Sequence, residues 1–175
     1  MKPLTVAIPK GRVLERLVAV LVRAGFDIAE LESKDRRLIR QSSDGVQFLL
    51  LKPDDVPTYV EYGAAALGVV GRDILLERRY DLYEPLDLGI GRCRMVVAGP
   101  RGRAMPDVPR IATKYPRVTG EFFASRGMQA EVIFVQGSVE IAPLTGLADF
   151  IVDLVETGTT LKDHDLVVFD TISEI

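Results

Sequence analysis

One stretch of the chain, Asp149 to Lys162, combines the residue types that bind a phosphorylated sugar; it reads D-F-I-V-D-L-V-E-T-G-T-T-L-K. Its apolar run, Phe150 to Val155, predicts a buried strand that ends in a Thr/Gly loop and a helical turn. Gly158 would let the backbone approach an anion closely, while backbone N–H groups and threonine hydroxyls would donate hydrogen bonds to it. Asp153, just before the loop, would accept hydrogen bonds from sugar hydroxyls. The stretch therefore predicts a site for a phosphorylated ribose.

The same residues also suit an ordinary turn. Threonine and glycine often follow strands without binding a ligand, and Asp153 could cap a helix or pair with a cation. Short motifs of this kind have many false positives. The interpretation therefore depends on what the other strand ends carry.

Three more predicted strands are followed by charged residues. Lys10-Gly11-Arg12 follows the strand at Leu4 to Ile8, Lys52 follows the strand at Phe48 to Leu51, and Arg72-Asp73 follows the strand at Leu67 to Val70. In open α/β sheets, ligands bind beyond the carboxyl ends of the strands. The recurrence favours an anion site, although each segment alone could be a solvated turn with surface cations.

Two other charged segments are candidates. The residues from Ser33 to Arg37 form a charged loop or sheet edge that could fold over a polyphosphate, and Arg92 lies in a glycine-rich crossover, Leu86 to Arg94. His164, the only histidine, is expected at the surface, and Cys93 is expected to be a packed residue without a chemical role.

Composition limits the class of protein. The 175 residues include 22 Lys and Arg against 25 Asp and Glu, a net charge of −3, so we expect no nucleic-acid partner. No apolar run is long enough to span a bilayer, so no membrane partner is expected. One cysteine excludes an intrachain disulfide, and no signal peptide is recognisable, which together favour a cytoplasmic protein.

Strands alternate with helices along the chain, which predicts an α/β fold with mostly parallel sheets. The chain is expected to cross into a second lobe near Arg92 and to return near Val167. Lobe I would comprise residues 1–91 plus 168–175, and lobe II, residues 92–167, would contain the Thr/Gly loop. The segment Thr171 to Ile175 is expected to begin a helix, and the natural chain to continue past it.

The chain resembles the short form of the ATP phosphoribosyltransferase family. The resemblance rests on five blocks in the family's order, which extend over nearly the whole length: IPKGR (Ile8 to Arg12), DVPTYVEYGAAALGVVGRD (Asp55 to Asp73), DLGIGRCRMVVA (Asp87 to Ala98), RIATKYP (Arg110 to Pro116) and GSVEIAPLTGLADFIVDLVETGTTLK (Gly137 to Lys162). The last block is the longest and the most specific.

The resemblance implies two lobes of the periplasmic-binding-protein type II kind, with the active site in the cleft between them. It implies that N1 of ATP displaces pyrophosphate from phosphoribosyl pyrophosphate to give phosphoribosyl-ATP, the first step of histidine biosynthesis. It further implies a requirement for Mg²⁺, bound mainly through substrate phosphates, and a separate regulatory subunit related to histidyl-tRNA synthetase. A homodimer within a hetero-oligomer is expected.

The resemblance also implies roles for particular residues. Lys10, Arg12 and Lys52 would be catalytic; many relatives carry arginine at the position of Lys52, and lysine lacks its planar fork. Phosphoribosyl pyrophosphate would be bound by the loop and the acidic residues before it: Asp153, Glu156, Thr157, Gly158, Thr159, Thr160 and Leu161. Further residues are expected to contact ATP: Gly11, Arg36, Arg72, Asp73 and Arg92.

Two other functions remain open from the residues. A non-catalytic, two-lobed module that binds small anions would share the expected fold. A nucleobase-salvage phosphoribosyltransferase would explain the Thr/Gly loop, but not the blocks at Lys10 to Arg12 and Asp55 to Asp73.

Overall fold

The computed structural model describes residues 3–33 and 35–175. They form two compact units, one up to Gly91 and one from Arg92 onward. Each unit contains one β-sheet with helices. The predicted α/β class is confirmed, and each sheet packs against two hydrophobic clusters.

The first unit contains a four-stranded sheet in the order β2-β3-β1-β4. In chain order its elements are β1 (Leu4–Pro9), α1 (Arg12–Arg23), α2 (Ala29–Glu32), β2 (Ile39–Gln41), β3 (Val46–Leu51), a 3₁₀ turn (Pro53–Asp55), α3 (Val56–Glu61), β4 (Leu67–Gly68) and α4 (Arg72–Arg78). The central strand β1 is parallel to β3 and β4, whereas the edge strand β2 is antiparallel to β3.

Both faces of the first sheet are covered, which explains the continuous apolar runs of its central strands. Ile8 and Phe48 lie on one face and pack with Leu17 of α1, whereas Ala7 lies on the other and packs with Val56 of α3. Successive residues of a strand point to opposite faces, so neighbouring residues of β1 fill two different cores.

The second unit contains a five-stranded sheet in the order β7-β6-β8-β5-β9. Its elements are β5 (Arg94–Pro100), β6 (Arg110–Thr113), α5 (Pro116–Ser125), β7 (Glu131–Phe134), a 3₁₀ turn (Val139–Ile141), β8 (Phe150–Val155), α6 (Thr159–Asp163) and β9 (Leu166–Glu174). Strand β6 is parallel to β7 and β8, but β5 is antiparallel to both β8 and β9. The sheet is therefore mixed, not mostly parallel.

The end of the described chain differs from the sequence expectation. Residues 171–174 do not begin a helix but continue β9, which pairs with β5 from Leu166 opposite Pro100 to Glu174 opposite Arg94. Residues 168–175 therefore belong to the second unit, whereas we expected them in lobe I. The spacing of Ile172 and Ile175 suits a helix, but both side chains pack against the sheet core of this unit. Long-range strand pairing overrides the local pattern.

Replacement of glycine by alanine at two positions in the second unit should change the free energy of unfolding in opposite directions. A Cβ at Gly99 of β5 would lie 2.9 Å from Phe150 Cε1 and closer still to Cδ1, whereas a Cβ at Gly120 inside α5 would meet nothing within 4 Å. We expect Gly99→Ala to lower the free energy of unfolding by about 1–3 kcal/mol through overpacking. Gly120→Ala should raise it by about 0.5–1 kcal/mol through helix propensity. Urea denaturation measures both; equal shifts in the two variants would contradict the prediction.

Within the ranges that the structure describes, no helix combines the length and the apolar composition required to cross a membrane.

Candidate active site

In the first unit, Lys10 and Lys52 leave neighbouring parallel strands at the same edge of the sheet. Pro9, the last residue of β1, lies opposite Leu51, the last residue of β3. The Lys10 N–H donates to the Leu51 carbonyl at 2.9 Å, so the two lysines follow a paired strand end. Gly11 then has φ +88°, a conformation that favours glycine, and leads directly into α1.

The third charged strand end lies on the other side of β1. The Val69 N–H donates to the Ala7 carbonyl at 2.9 Å, which continues the pairing of β4 with β1 towards Gly71 and α4. Arg72 is exposed, but Asp73 is buried. The Asp73 carboxylate lies against the Gly71 Cα, where a Cβ would collide with Oδ1. Arg72 is thus the member of the pair that a ligand can reach.

Arg36 reaches the same edge through the antiparallel strand β2. Because β2 runs against β3, its first residues lie beside the last residues of β3, and the Leu50 N–H donates to the Leu38 carbonyl at 2.7 Å. Arg36 precedes Leu38 by two residues and is exposed. Lys34, in the same charged segment, lies outside the described residues.

The predicted cations of the first unit share a second property besides their position. The side chains of Lys10, Arg12, Arg36, Lys52 and Arg72 are exposed, and across residues 3–33 and 35–175 none has a hydrogen-bond or ion-pair partner. Other arginines nearby do have partners, such as Arg37 with Glu30 at 3.1 Å. One sheet edge therefore carries several exposed cations that form no ion pair with a described residue, an arrangement that favours the binding of a polyphosphate.

In the second unit, the Thr/Gly loop follows β8 as predicted. Gly158 has φ +80° and ψ 6° in the turn before α6, and the Thr157 and Thr159 hydroxyl oxygens lie 3.0 Å apart. The side chains of Glu156, Thr157, Thr159 and Thr160 are exposed. The loop thus presents three hydroxyls to solvent beside a backbone turn that requires glycine.

Leu161 and His164 make internal contacts that support this loop. Leu161 is buried and packs in the sheet core with Val155 and Ile151. The His164 Nδ1–H donates to the Thr160 carbonyl at 2.9 Å, which closes the last turn of α6. Leu161 can therefore contact a ligand only through its backbone, and His164, half-buried, has a structural role.

The two aspartates of the motif occupy opposite ends of β8. Asp153 is half-buried on the sheet face on which Leu161 packs, close to the loop, and its Oδ1 accepts the Leu154 N–H at 2.8 Å. Asp149 is buried at the other end of the strand. It accepts the Arg110 N–H at 2.9 Å and pairs with Arg103 at 2.6 Å. The Arg110 N–H lowers the pKa of Asp149 below its ordinary value, with the two arginine charges adding to the effect. Asp149 thus fixes the strand, whereas Asp153 lies near the loop.

Two arginines lie beside the loop because β5 runs against β8. Arg94, the first residue of β5, is opposite Val155, the last residue of β8, and Arg92 precedes it in the chain. Both are exposed. The sequence predicted Arg92 as an ATP contact but did not indicate Arg94, whose position depends on the antiparallel register. Between them, Cys93 is half-buried and exchanges backbone hydrogen bonds with Ile175 at 2.8 and 3.0 Å.

The described residues contain no group of three or more His, Cys, Asp or Glu side chains placed to hold a metal ion.

Comparison with known proteins assigns the family. The family model described as HisG: ATP phosphoribosyltransferase matches residues 52–175. An ATP phosphoribosyltransferase from Sorangium cellulosum (strain So ce56) is 62% identical over 175 residues, which cover 99% of this chain and 83% of that protein. One from Geobacter metallireducens is 52% identical over 179 residues, which cover 98% of this chain and 84% of that protein.

Comparison with solved structures agrees with this family assignment and identifies the fold. An ATP phosphoribosyl transferase (HisG:HisZ) complex from Thermotoga maritima contains a chain with a TM-score of 0.84 and 40% identity, covering 98% of this chain and 83% of that one. The alkanesulfonate-binding protein SsuA from Xanthomonas axonopodis pv. citri has a TM-score of 0.56 at 12% identity, over 98% of this chain and 61% of that one. At that identity it shows only that the fold is of the periplasmic-binding-protein type.

These matches confirm the resemblance seen in the sequence and do not favour a non-catalytic anion-binding module. The chain belongs to the short form of the ATP phosphoribosyltransferase family, the glycosyltransferases that transfer the phosphoribosyl group of phosphoribosyl pyrophosphate to N1 of ATP in the first step of histidine biosynthesis.

Proposed function

We propose that the exposed cations on the first sheet edge bind the phosphate groups of the two substrates in this reaction. Lys10, Arg12 and Lys52 contact the departing pyrophosphate or the ATP phosphates. Gly11, Arg36, Arg72 and Asp73 are the further ATP-binding residues proposed in the first unit, and Arg92 is the one proposed in the second unit. Asp73 is buried, so Arg72 is the member of that pair that contacts the ligand directly. The observation that carries this proposal is the convergence of exposed cations without partners at the ends of β3, β1 and β4.

In the second unit, the loop that follows β8 binds the 5′-phosphate of phosphoribosyl pyrophosphate. The hydroxyls of Thr157, Thr159 and Thr160 and the backbone from Glu156 to Leu161 donate hydrogen bonds to the phosphate oxygens. Asp153 and Glu156 accept hydrogen bonds from the ribose hydroxyls. The exposed hydroxyls, the positive φ of Gly158 and the proximity of Asp153 support this assignment.

The chemistry requires positioning and stabilisation of charge more than proton transfer. N1 of adenine has no proton to lose before it attacks, so no strong general base is required at that step. As the bond to the leaving group breaks, negative charge moves onto pyrophosphate, and positioned cations stabilise that charge. The half-buried His164, bonded to a backbone carbonyl, has no part in the proposed chemistry.

Mg²⁺ is the proposed metal, held mainly by substrate phosphates, as this ion usually is in enzymes that act on polyphosphates. When bound, it neutralises part of the pyrophosphate charge. A regulatory subunit related to histidyl-tRNA synthetase is the proposed partner, which the HisG:HisZ complex from Thermotoga maritima supports. The proposed assembly is a homodimer within a hetero-oligomer, in the cytoplasm and without nucleic-acid or membrane partners.

Neutralising the two paired lysines tests the cation site. We expect Lys10→Gln and Lys52→Gln each to lower kcat/KM at least about tenfold, because each removes one charge-assisted contact to phosphate oxygens, worth about 1.5–3 kcal/mol. Turnover is followed as the rise in ultraviolet absorbance when ATP, phosphoribosyl pyrophosphate and Mg²⁺ are mixed with the protein, with and without the regulatory partner.

Arg23→Gln is the matched control, since Arg23 is an exposed cation at the far end of α1. It should leave kcat/KM within about twofold of the parent value, as surface substitutions away from a site usually do. Parent-like kcat/KM in both lysine variants would refute the cation site while leaving the reaction itself established. A complete absence of turnover in the parent, with the partner present, would instead favour an anion-binding module.

A further inference from the structure

Three arginines occur within five residues, at positions 36, 37 and 40. In the structure their side chains differ in exposure and in hydrogen-bond partners. Arg36 is exposed and has no partner among the described residues. Arg37 forms ion pairs with Asp35 at 2.7 Å and with Glu30 at 3.1 Å, with 61% of its side chain exposed. Arg40 is 3% exposed. These differences in exposure and pairing cannot be inferred from the sequence, because the three side chains are identical.

The buried Arg40 guanidinium holds the backbone between α2 and β2. Its Nε donates to the Arg37 carbonyl at 3.3 Å, its Nη2 donates to the Asp35 carbonyl at 3.0 Å, and its Nη1 donates to the Glu30 carbonyl. Nη2 also lies 3.1 Å from Asp35 Oδ1. Three carbonyls from three positions along the segment thus converge on one planar, rigid group.

We propose that Arg40 is a positioning residue that holds Arg36 at the sheet edge for contact with the ATP phosphates. The segment that it holds, residues 35–37, directly precedes Leu38, whose carbonyl accepts the Leu50 N–H close to the end of β3. Fixing the backbone on both sides of Arg36 reduces the conformational entropy that Arg36 loses when it binds a ligand. The inference rests on the proposed role of Arg36 in binding ATP.

Asp35 contributes to the same arrangement and remains ionised at low pH. The hydrogen bond from the Arg37 side chain lowers the pKa of Asp35 most, and the hydrogen bond from the Arg37 backbone N–H has the second largest effect. Together they bring this pKa from 3.8 to about 2. A lowered carboxyl pKa adds stability that is present above the ordinary value and is lost as the pH falls through the folded-state value. The Asp35 carboxylate is therefore ionised at neutral pH. An assay near neutral pH examines the segment with the contacts of Asp35 in place.

Substitution of Arg40 tests the inference through the two Michaelis constants. We expect Arg40→Gln to raise KM for ATP about tenfold while leaving KM for phosphoribosyl pyrophosphate within twofold, at a temperature at which the variant is folded. Arg40→Lys should give an intermediate value, because an ammonium group keeps the charge but cannot reach three carbonyls in one plane. Arg23→Gln is the control, because Arg23 is an exposed arginine at the far end of α1 and lies outside this segment, so both constants should remain near those of the parent.

A double substitution separates positioning from general stabilisation. If Arg40 acts through Arg36, the variant with both Arg36→Ala and Arg40→Gln should have the same KM for ATP as Arg36→Ala alone. Amide hydrogen exchange should also show faster exchange at Arg37 in Arg40→Gln than in the parent. A variant in which both Michaelis constants rise together, or a double variant with multiplied effects, would overturn the inference.

The outcomes also distinguish this inference from the proposed role of Arg36. If Arg36→Ala raises KM for ATP and folded Arg40→Gln does not, the positioning role of Arg40 fails and the ATP site remains. If Arg36→Ala leaves KM for ATP unchanged, the role of Arg36 in binding ATP fails, and the positioning inference fails with it. In that case, faster exchange at Arg37 would show Arg40 to be a structural residue alone.

Discussion

Gly158→Val should abolish measurable formation of phosphoribosyl-ATP in a protein that still folds. Gly158 has φ +80°, and although a Cβ there would meet only Val155 Cγ1, at 3.8 Å, a β-branched residue is strained at that angle. The loop would relax to a conformation in which its N–H groups no longer converge on the phosphate. We expect kcat/KM to fall at least about a hundredfold, equivalent to about 2.7 kcal/mol of transition-state stabilisation.

Gly127→Val is the control for backbone strain. Gly127 has φ +70° after α5, a Cβ there would meet nothing within 4 Å, and it is not among the proposed site residues. Both variants should lose about 1–3 kcal/mol of unfolding free energy, as expected for a strained backbone position. Only Gly158→Val should lose turnover. Parent-like kcat/KM in folded Gly158→Val would remove the loop from the site.

Asp153→Asn should have the next largest effect, acting mainly on phosphoribosyl pyrophosphate. The half-buried carboxylate near the loop accepts the Leu154 N–H through one oxygen, which the asparagine carbonyl can replace. The substitution removes the negative charge that would accept hydrogen bonds from the ribose hydroxyls and offset positive charge developing on the ribose. We expect kcat/KM to fall about a hundredfold. KM for phosphoribosyl pyrophosphate should rise more than KM for ATP, and Asp153→Ala should have a larger effect.

Asp170→Asn is the matched control in the same sheet. Asp170 lies on β9 with its side chain 47% exposed and pairs with Arg126 at 3.0 Å, an exposed ion pair that contributes about 0–1 kcal/mol. Its kinetic constants should match those of the parent protein. If Asp153→Asn also retained parent-like constants for both substrates, another group would have to bind the ribose.

Much of the fold was predictable because its signals are local. The apolar run of β8 and the following glycine define a strand and a turn within ten residues, and α1 has apolar residues at helical spacing beside Leu17. Strand β2, by contrast, was not predicted, because only three residues pair with β3 and its side chains alternate without a clear apolar face. The continuation of β9 was missed for a related reason, since its identity depends on pairing with a strand some 70 residues away.

The same difference between local and long-range features decides which parts of the candidate site were predictable. The Thr/Gly loop and the charged residues at strand ends were visible in the sequence, because strand ends are local features. Leu161 was predicted as a member of the phosphate-binding loop, and only the structure shows that its side chain lies in the core, which leaves its backbone for a ligand. Arg94 was missed because only the register of β5 with β8 brings it beside the loop.

The sequence by itself determined the family, the reaction and the chemical types available at each strand end. Tertiary structure alone decided which charged side chains are available to a ligand: Asp149 and Arg40 are committed to internal contacts, whereas Lys10, Lys52 and Arg36 remain exposed at one edge. The physical reason is that the residue type sets the sign of a charge, whereas the surrounding fold sets how well that charge is solvated and which groups pair with it. Groups far apart in the chain meet only after strand pairing has aligned their ends.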